Sequence, residues 1–587
     1  MKRLTLLAIT LLLAVAAQAV PAWPRPVTVT QPDGSRLTII MNGDEWQGFA
    51  TTTDGYTVVS DNLGRFCYAQ LSGESLAPTA FVAHEPHMRT NAERAFVANI
   101  PQRLTTDATR AQAARANARA EARKANLNPD RFRGLVILVE YSNRKFLFDN
   151  AREVFTDMIN KRGFDGLQND STGQWQAFTG SVRDYFRDNT AGRFDPEFDV
   201  VGPITAPYQQ TFPNGSSNAR ALFSAVLNAA NDSVDYSRYD ADDDGVVDMV
   251  YFIVAGGGAN MGNNSRYLWP HKWTFDYPPT LDGKTFNVYA CSTELFDLEE
   301  DCVIDGIGTI CHEFSHVLGV GDLYDADYAG SGGLSTHPGD WSIMAYGCYL
   351  NNSLTPAGYG LYERMSMGWA NITRIDSERN YTLPPLQTSN TGYRINNSDK
   401  EFFLIENRQP IKWDQYLPGH GMLVWRVDST SLTPYNNNRI NANPSHNYFE
   451  LVRAARIDTT VTESGKEYVV AVDSPRDPFP GQAGVHCLLN ADTAPSIRSW
   501  AGNNSPFVLA DIREQGQTIF FRSTPDGQPT GLLGDINNDQ MVNTSDLNLL
   551  INALLTNDNT LDRADLNGDS NITIADLNVM CTIILEK

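Results

Sequence analysis

His312-Glu313-Phe314-Ser315-His316-Val317-Leu318-Gly319-Val320-Gly321-Asp322 sets two imidazoles, a carboxylate, a chain-reversing glycine and a second carboxylate at spacings that suit a metal site. In a helix of about 3.6 residues per turn, positions four apart share a face, so His312 and His316 can aim ring nitrogens at one point. Glu313 is one residue along, near enough to touch a metal-bound water without ligating the ion. Gly319 can take a positive φ, end the helix and turn the chain so that Asp322 supplies a third ligand. Three protein ligands leave a fourth tetrahedral position for water, as in a catalytic rather than a structural zinc site.

A surface helix with two histidines and a glutamate would show the same five residues. The flanks Ile307, Ile310, Phe314, Val317 and Leu318 argue instead for a buried helix, where imidazoles and a carboxylate need a partner. The glycine and aspartate follow at the offsets of the metzincins, a group that usually has histidine as its third ligand. Trp341-Ser342-Ile343-Met344-Ala345-Tyr346-Gly347 looks like a metzincin Met-turn, with Met344 beneath the metal and Tyr346 leaning towards a substrate carbonyl. Asp325 and His337 are alternative third ligands within loop reach. A glutamate of the thermolysin kind is disfavoured, because the first one after His316 is Glu363, beyond the Met-turn.

The rest of the chain frames this site. At 587 residues, three or more folded units are expected. A formal charge of −23 disfavours nucleic acid or an anionic membrane as partner. Residues 1–19 read as a secretory signal: Lys2 and Arg3, an apolar run from Leu4 to Ala16, then Ala17-Gln18-Ala19 as a cleavage site. That run is shorter than the ~20 residues a membrane span requires. No other segment reads as a span, so export is expected. Seven cysteines are an odd number; Cys291 and Cys302 flank a short loop and could be bridged, whereas Cys311 reads as an apolar filler.

Residues 20–128 alternate short strands with turns such as Gln31-Pro32-Asp33-Gly34 and Thr53-Asp54-Gly55, then run into an alanine- and arginine-rich stretch from Thr105 to Asn126. This pattern reads as a β-rich pro-domain on a basic linker that an activating, trypsin-like protease can cut. Cys67 is placed in a strand core. Residues 129–371 read as an α+β catalytic unit, opening with the buried-strand run Gly134–Glu140 and including a helix at Ser181–Arg187. Met249–Val254 is assigned to a sheet edge, where an extended substrate could pair. Asp240, Asp242, Asp244, Val246 (through its carbonyl) and Asp248 match a calcium loop. Tyr251 at position twelve and a following strand make it a stapled loop, not an EF-hand. Residues 372–524 alternate as an all-β sandwich, with His420, His446 and His486 structural.

Residues 531–587 contain a repeat. Asp535, Asn537, Asp539, Asn543 and Asp546 recur as Asp565, Asn567, Asp569, Thr573 and Asp576, each set followed by an apolar-faced helix. Two calcium loops with only a following helix resemble a dockerin, a small α-helical module that holds two calcium ions and plugs into a cohesin on a scaffold or cell surface. Loop positions ten and eleven are Thr544-Ser545 in the first copy and Ile574-Ala575 in the second, which departs from a symmetric dual binding mode.

The assembled features resemble the immune inhibitor A family of secreted bacterial metallopeptidases. The resemblance rests on Asp54-Gly55-Tyr56, Ser181-Val182-Arg183-Asp184-Tyr185, the zinc helix, Gly339-Asp340-Trp341-Ser342-Ile343-Met344, Glu406-Asn407-Arg408, Leu417-Pro418-Gly419 and Asp477-Pro478-Phe479-Pro480-Gly481. It implies a pro-enzyme with a metzincin-like zinc peptidase domain and a β-rich companion; the dockerin is an addition. It also implies hydrolysis of internal bonds in protein substrates, with Glu313 carrying the proton and Tyr346 hydrogen-bonding the oxyanion. An inactive peptidase fold kept for binding is the competing class. The retained Glu313 and histidine pair speak against it.

Overall fold

The computed structural model describes all residues but 1–18, 45–47, 74, 107–130, 169–172, 212–218, 263–265, 276, 297–302, 433–438, 464–465, 526–532, 538–541, 559–560, 562, 568–570 and 586–587. The signal segment (save Ala19), most of the basic linker, Cys302, Asp539 and Asp569 therefore lie outside the described residues.

Alternation in the N-terminal unit produces a six-stranded antiparallel meander: Pro26–Thr30, Arg36–Asn42, Phe49–Thr52, Thr57–Ser60, Phe66–Ser72 and Ser75–Val82. The turn read at Pro32-Asp33-Gly34 forms, with Gly34 at φ 84°. Cys67 is buried in its strand, as expected, and burial raises its thiol pKa.

Long apolar runs build the five-stranded sheet of the central unit. Its order is Glu197–Thr205, Arg133–Glu140, Val250–Gly257, Val288–Leu295, His271–Thr274; the first four strands are parallel and the last is an antiparallel edge. Leu135, Ile137, Phe252 and Val254 pack against the helix Ala219–Ala230 on one face. Val136, Leu138, Tyr251 and Ile253 pack on the other against the helices Ala151–Asn160, Val182–Asn189 and Gly308–Val317. Helices thus cover both faces of a mixed α/β layer. The helix after Ser181 starts on a capping box of Ser181 and Asp184.

One expectation fails here. Val250–Gly257 is the central strand, not an edge, because its unbroken apolar run is buried on both faces. The edge next to the site is His271–Thr274.

Beyond residue 371 the chain forms a five-stranded sheet (Asn371–Arg374, Thr391–Asn396, Glu401–Arg408, Gly421–Asp428, Phe449–Val452) and a three-stranded one (Arg379–Leu383, Thr518–Pro525, Phe507–Gln515). Phe403, Ile405, Met422 and Val424 share a core with Leu383, Leu509 and Phe521 of the smaller sheet. The alternate residues Phe402, Leu404, Leu423 and Trp425 enter the same core as Ile310 and Phe314 of the site helix. The boundary near residue 371 is therefore one of sequence pattern, not of packing: the larger sheet backs directly onto the unit that carries the site helix.

A buried ion pair ties the two together. Arg408 donates through Nε and Nη2 to Asp414 at 2.7 Å each, and through Nη2 to Gly358 O at 2.9 Å. Arg408→Ala leaves the Asp414 carboxylate buried without its guanidinium, a change that costs about 3–5 kcal/mol. The expected readout is a lower denaturant midpoint of unfolding.

At the C-terminal end, helices Thr544–Thr556 and Ile574–Leu585 pack through Leu550, Ala553, Val579 and Met580. The two loops repeat in detail. Asp546 Oδ1 accepts from the Ile536 and Asn537 amides, and Asp576 Oδ1 accepts from the Leu566 and Asn567 amides. Among the described residues, no helix is long and apolar enough to cross a membrane.

Candidate active site

The site helix Gly308–Val317 is wholly buried. A Cβ on Gly308 would stand 1.8 Å from Cys348 O, so only glycine lets the helix start pass this close to the chain beyond the Met-turn. At the other end Gly319 takes φ 90°, while the Gly319 and Val320 amides donate to the His316 and Ser315 carbonyls. This is the helix stop that turns the chain towards Asp322.

Each imidazole is fixed by a backbone carbonyl. His312 Nδ1 donates to Ile343 O at 2.7 Å and His316 Nδ1 to Val320 O at 2.8 Å. Because a carbonyl only accepts, both Nδ1 atoms carry the proton, and both Nε2 atoms present lone pairs. Those lone pairs face one another at 3.1 Å, and Asp322 Oδ1 lies 3.3 Å from each. Three acceptor atoms in so tight a triangle repel unless a cation sits among them. A tetrahedral zinc about 2.0–2.1 Å from each ligand requires edges of about 3.3 Å, so the residues present fit the ion. Burial lowers the His316 pKa. The same burial would raise that of Asp322, but His316 and His312 hold it well below the usual carboxylate range. His316 and Asp322 are thereby kept in their ligating forms.

The alternative third ligands are placed elsewhere. Asp325 accepts from the Ser335 amide and stands beside Asp327, its pKa driven well up by burial. His337 Nδ1 accepts from the Gly339 amide at 3.1 Å, its ring 5.0 Å from that of Tyr346. Among the described residues, two groups could hold a metal: His312, His316 and Asp322; and Asp240, Asp242 and Asp244. In the second, Asp240 also pairs with Lys284 Nζ at 2.6 Å. Asp248 accepts from the Ala241 amide and is pushed up to about 6 by burial and by the neighbouring aspartates. Val246 follows in the same loop, its amide donating to Asp244. No carboxylate of Asp248 joins the group of three.

Met344 is fully buried, and its carbonyl accepts from the Leu323 amide at 2.9 Å, which ties the turn at Met344 to the segment that carries Asp322. Ser342 Oγ accepts from the Met344 amide and donates to Glu363 Oε1. Glu363, read from sequence only as a rejected ligand, thus shapes the turn. Burial raises the Tyr346 phenol to about 12, so it remains a hydrogen-bond donor near neutrality.

A second contact was missed in the sequence. The chain at Ala19–Trp23 is buried against the site: the Val20 amide donates to Glu313 Oε1 at 2.8 Å, and Trp269 Nε1 donates to Val20 O at 2.9 Å. Tyr324 and Tyr349 hydroxyls donate to Ala19 O and Pro21 O, and the Trp23 amide to Asn260 O at 3.0 Å. The Trp23 ring packs edge-on against Phe296 and Tyr349, at 4.7 and 5.2 Å. The available signal was the expected cleavage pattern ending at Ala19, after which Val20 would be a first residue.

Cys311 is buried with its thiol pKa raised well up, consistent with a filler. Cys291 is buried with its sulfur 3.5 Å from His271 Nδ1. His420, His446 and His486 bond Glu514, Asp428 and the Ile512 carbonyl respectively, apart from one another.

Comparison with known proteins agrees with this geometry. Residues 123–361 match the profile of the immune inhibitor A peptidase M6 catalytic domain, and residues 533–585 match the dockerin type I domain. The chain is 26% identical over 290 residues to "Immune inhibitor A" of Bacillus thuringiensis subsp. alesti, covering 42% of each. It is 23% identical over 252 residues to "Pre-pro-metalloprotease PrtV" of Vibrio cholerae serotype O1, covering 37% of this chain and 27% of the relative. The chain thus spans less than half the length of the curated relatives it matches. With the triangle of His312, His316 and Asp322 on the matched segment, residues 123–361 correspond to an immune inhibitor A peptidase M6 catalytic domain and residues 533–585 to a type I dockerin domain.

Proposed function

We propose that this chain is the precursor of a secreted zinc endopeptidase that hydrolyses protein substrates and is carried by its dockerin to a cohesin. In this reading residues 1–19 are the signal, 20–128 an inhibitory pro-domain with its linker, 129–371 the metzincin-like catalytic unit, 372–524 its β companion and 531–587 the dockerin. The observation that carries the reading is the triangle of His312 Nε2, His316 Nε2 and Asp322 Oδ1.

A zinc ion held there supplies a Lewis acid and a water whose pKa is brought down to about 7. Glu313, next to the ligand His312 on the same helix, accepts the proton of the attacking water and returns it to the departing amine. Tyr346 donates to the oxyanion as the carbonyl becomes tetrahedral. Its elevated pKa suits that role, since the proton must stay on the phenol. Asp240, Asp242 and Asp244 would hold a calcium ion that orders their loop.

Removing zinc with a chelator and restoring it tests the site. Casein hydrolysis is expected to vanish and return with zinc; activity that persists in the metal-free protein would refute the reading. For the dockerin, calcium chelation is expected to abolish cohesin binding and reduce the helical signal of residues 533–585. Binding unchanged by chelation would exclude the calcium assignment at Asp535, Asn537, Asn543, Asp546, Asp565, Asn567, Thr573 and Asp576 and, outside the described residues, at Asp539 and Asp569.

A further inference from the structure

The segment Ala19–Trp23 is gripped beside Glu313 through its main chain. The Val20 amide donates to Glu313 Oε1 at 2.8 Å, Trp269 Nε1 donates to Val20 O at 2.9 Å, and the Trp23 amide donates to Asn260 O at 3.0 Å. The hydroxyls of Tyr324 and Tyr349 donate to Ala19 O at 2.9 Å and Pro21 O at 2.5 Å. Main-chain bonds of this kind hold an extended chain with little regard to its sequence, so preference must come from pockets for individual side chains.

One side chain of the segment enters such a pocket. Trp23 is 6% exposed, and its ring meets Phe296 at 4.7 Å and Tyr349 at 5.2 Å, with the planes 83° and 89° apart. Edge-to-face placing sets the positive rim of one ring against the negative face of another, a match that an aliphatic side chain does not make. Both walls are fixed by groups other than Trp23. The Phe296 amide donates to Val303 O at 2.8 Å, and the Tyr349 hydroxyl accepts from Asn260 Nδ2 at 3.1 Å.

Resting on the endopeptidase reading above, we infer that Phe296 and Tyr349 form a specificity subsite for a large aromatic side chain of the substrate, which Trp23 occupies in the precursor. When the N-terminal unit departs, Trp23 goes with it and the two rings lose their cover. A substrate aromatic rebuilds both edge-to-face contacts, whereas alanine leaves the walls facing water. Trp23 is three residues beyond Val20, the residue bonded to the proposed general base. The preferred aromatic is therefore expected within about three residues of the scissile bond, an extended reach of roughly 10 Å.

The test uses the full-length protein cut within the basic linker, and peptide sets with Phe, Leu or Ala at one position, scanned over the residues flanking the scissile bond. Wild type is expected to prefer Phe over Ala at one position by about tenfold or more in kcat/KM, with Leu between them. Phe296→Ala should bring the Phe-to-Ala ratio near unity. Tyr349→Phe keeps the ring and removes the main-chain donor, so it should slow every peptide by a common factor and preserve the ratio. Wild-type protein that cleaves the peptides with no aromatic preference at any position overturns the subsite while sparing the endopeptidase reading. So does a preference that survives in Phe296→Ala or is lost in Tyr349→Phe. Wild-type protein that cleaves neither the peptides nor casein sinks both. The first arm is decided by wild type alone, so a poorly folded variant cannot rescue the idea.

Discussion

Glu313→Gln is expected to lower casein hydrolysis by about 10²–10⁴-fold, the usual worth of a positioned general base, with zinc still bound. The side chain keeps its shape and loses only the ability to take a proton. Glu313 is fully buried in the helix that carries both ligand histidines, yet the converging ligand atoms belong to His312, His316 and Asp322. Metal content and turnover should therefore separate in this variant, as they would not for His312→Ala. The carboxylate also has a charged neighbour: burial pushes the Lys272 ammonium down to about 8, and Glu313 pulls it the other way. Removing the carboxylate charge takes that opposing pull from Lys272, so a modest shift in the alkaline limb of any residual activity is a second expected sign. Zinc analysis together with a protein-substrate assay decides the matter. Undiminished hydrolysis by a zinc-loaded Glu313→Gln enzyme would mean that another group carries the proton.

The ligand helix, its glycine stop and the Met-turn were legible because each is local. A 3.6-residue period, one left-handed glycine and a short turn motif place the histidines and Asp322 with no knowledge of the rest of the chain. The choice of Asp322 over Asp325 and His337 could be made by position alone; in three dimensions Asp322 converges on the two imidazoles, whereas Asp325 accepts from the Ser335 amide and His337 meets Tyr346 edge-on. Strand order was not legible. Val250–Gly257 reads the same at a sheet's centre as at its edge, and only pairing with Arg133–Glu140 on one side and Val288–Leu295 on the other settles it. Nor did the alternation of Glu401–Arg408 reveal that both its faces would be buried, in two different cores. The Val20–Glu313 contact spans 293 positions, beyond any local pattern.

That long-range contact predicts that the precursor is latent. A chain beginning near residue 20 is expected to hydrolyse protein substrate at least about 10²-fold more slowly than the same protein cut within the basic linker, because a tethered occupant acts at an effective concentration of order mM. The segment is well anchored: backbone groups of Val20, Pro21 and Trp23 bond Glu313, Trp269, Tyr349 and Asn260, and the Trp23 ring packs edge-on against Phe296 and Tyr349. Cleavage after Ala19 would forfeit the Tyr324 bond to Ala19 O, but would turn the Val20 donor from an amide into an ammonium. An ammonium against the buried Glu313 carboxylate is a stronger, charge-assisted bond, so signal removal should tighten latency rather than relax it. Trp23→Ala tests the anchor without touching the catalytic residues. Losing a buried aromatic of this size costs about 3–5 kcal/mol of local packing, enough to let the segment leave the cleft. Uncut Trp23→Ala precursor should then recover much of the activity of the processed enzyme, read on casein with a gel to confirm that the linker is intact. Equal activity of cut and uncut wild-type protein would show that the segment yields to substrate, and that Val20 merely rests on Glu313.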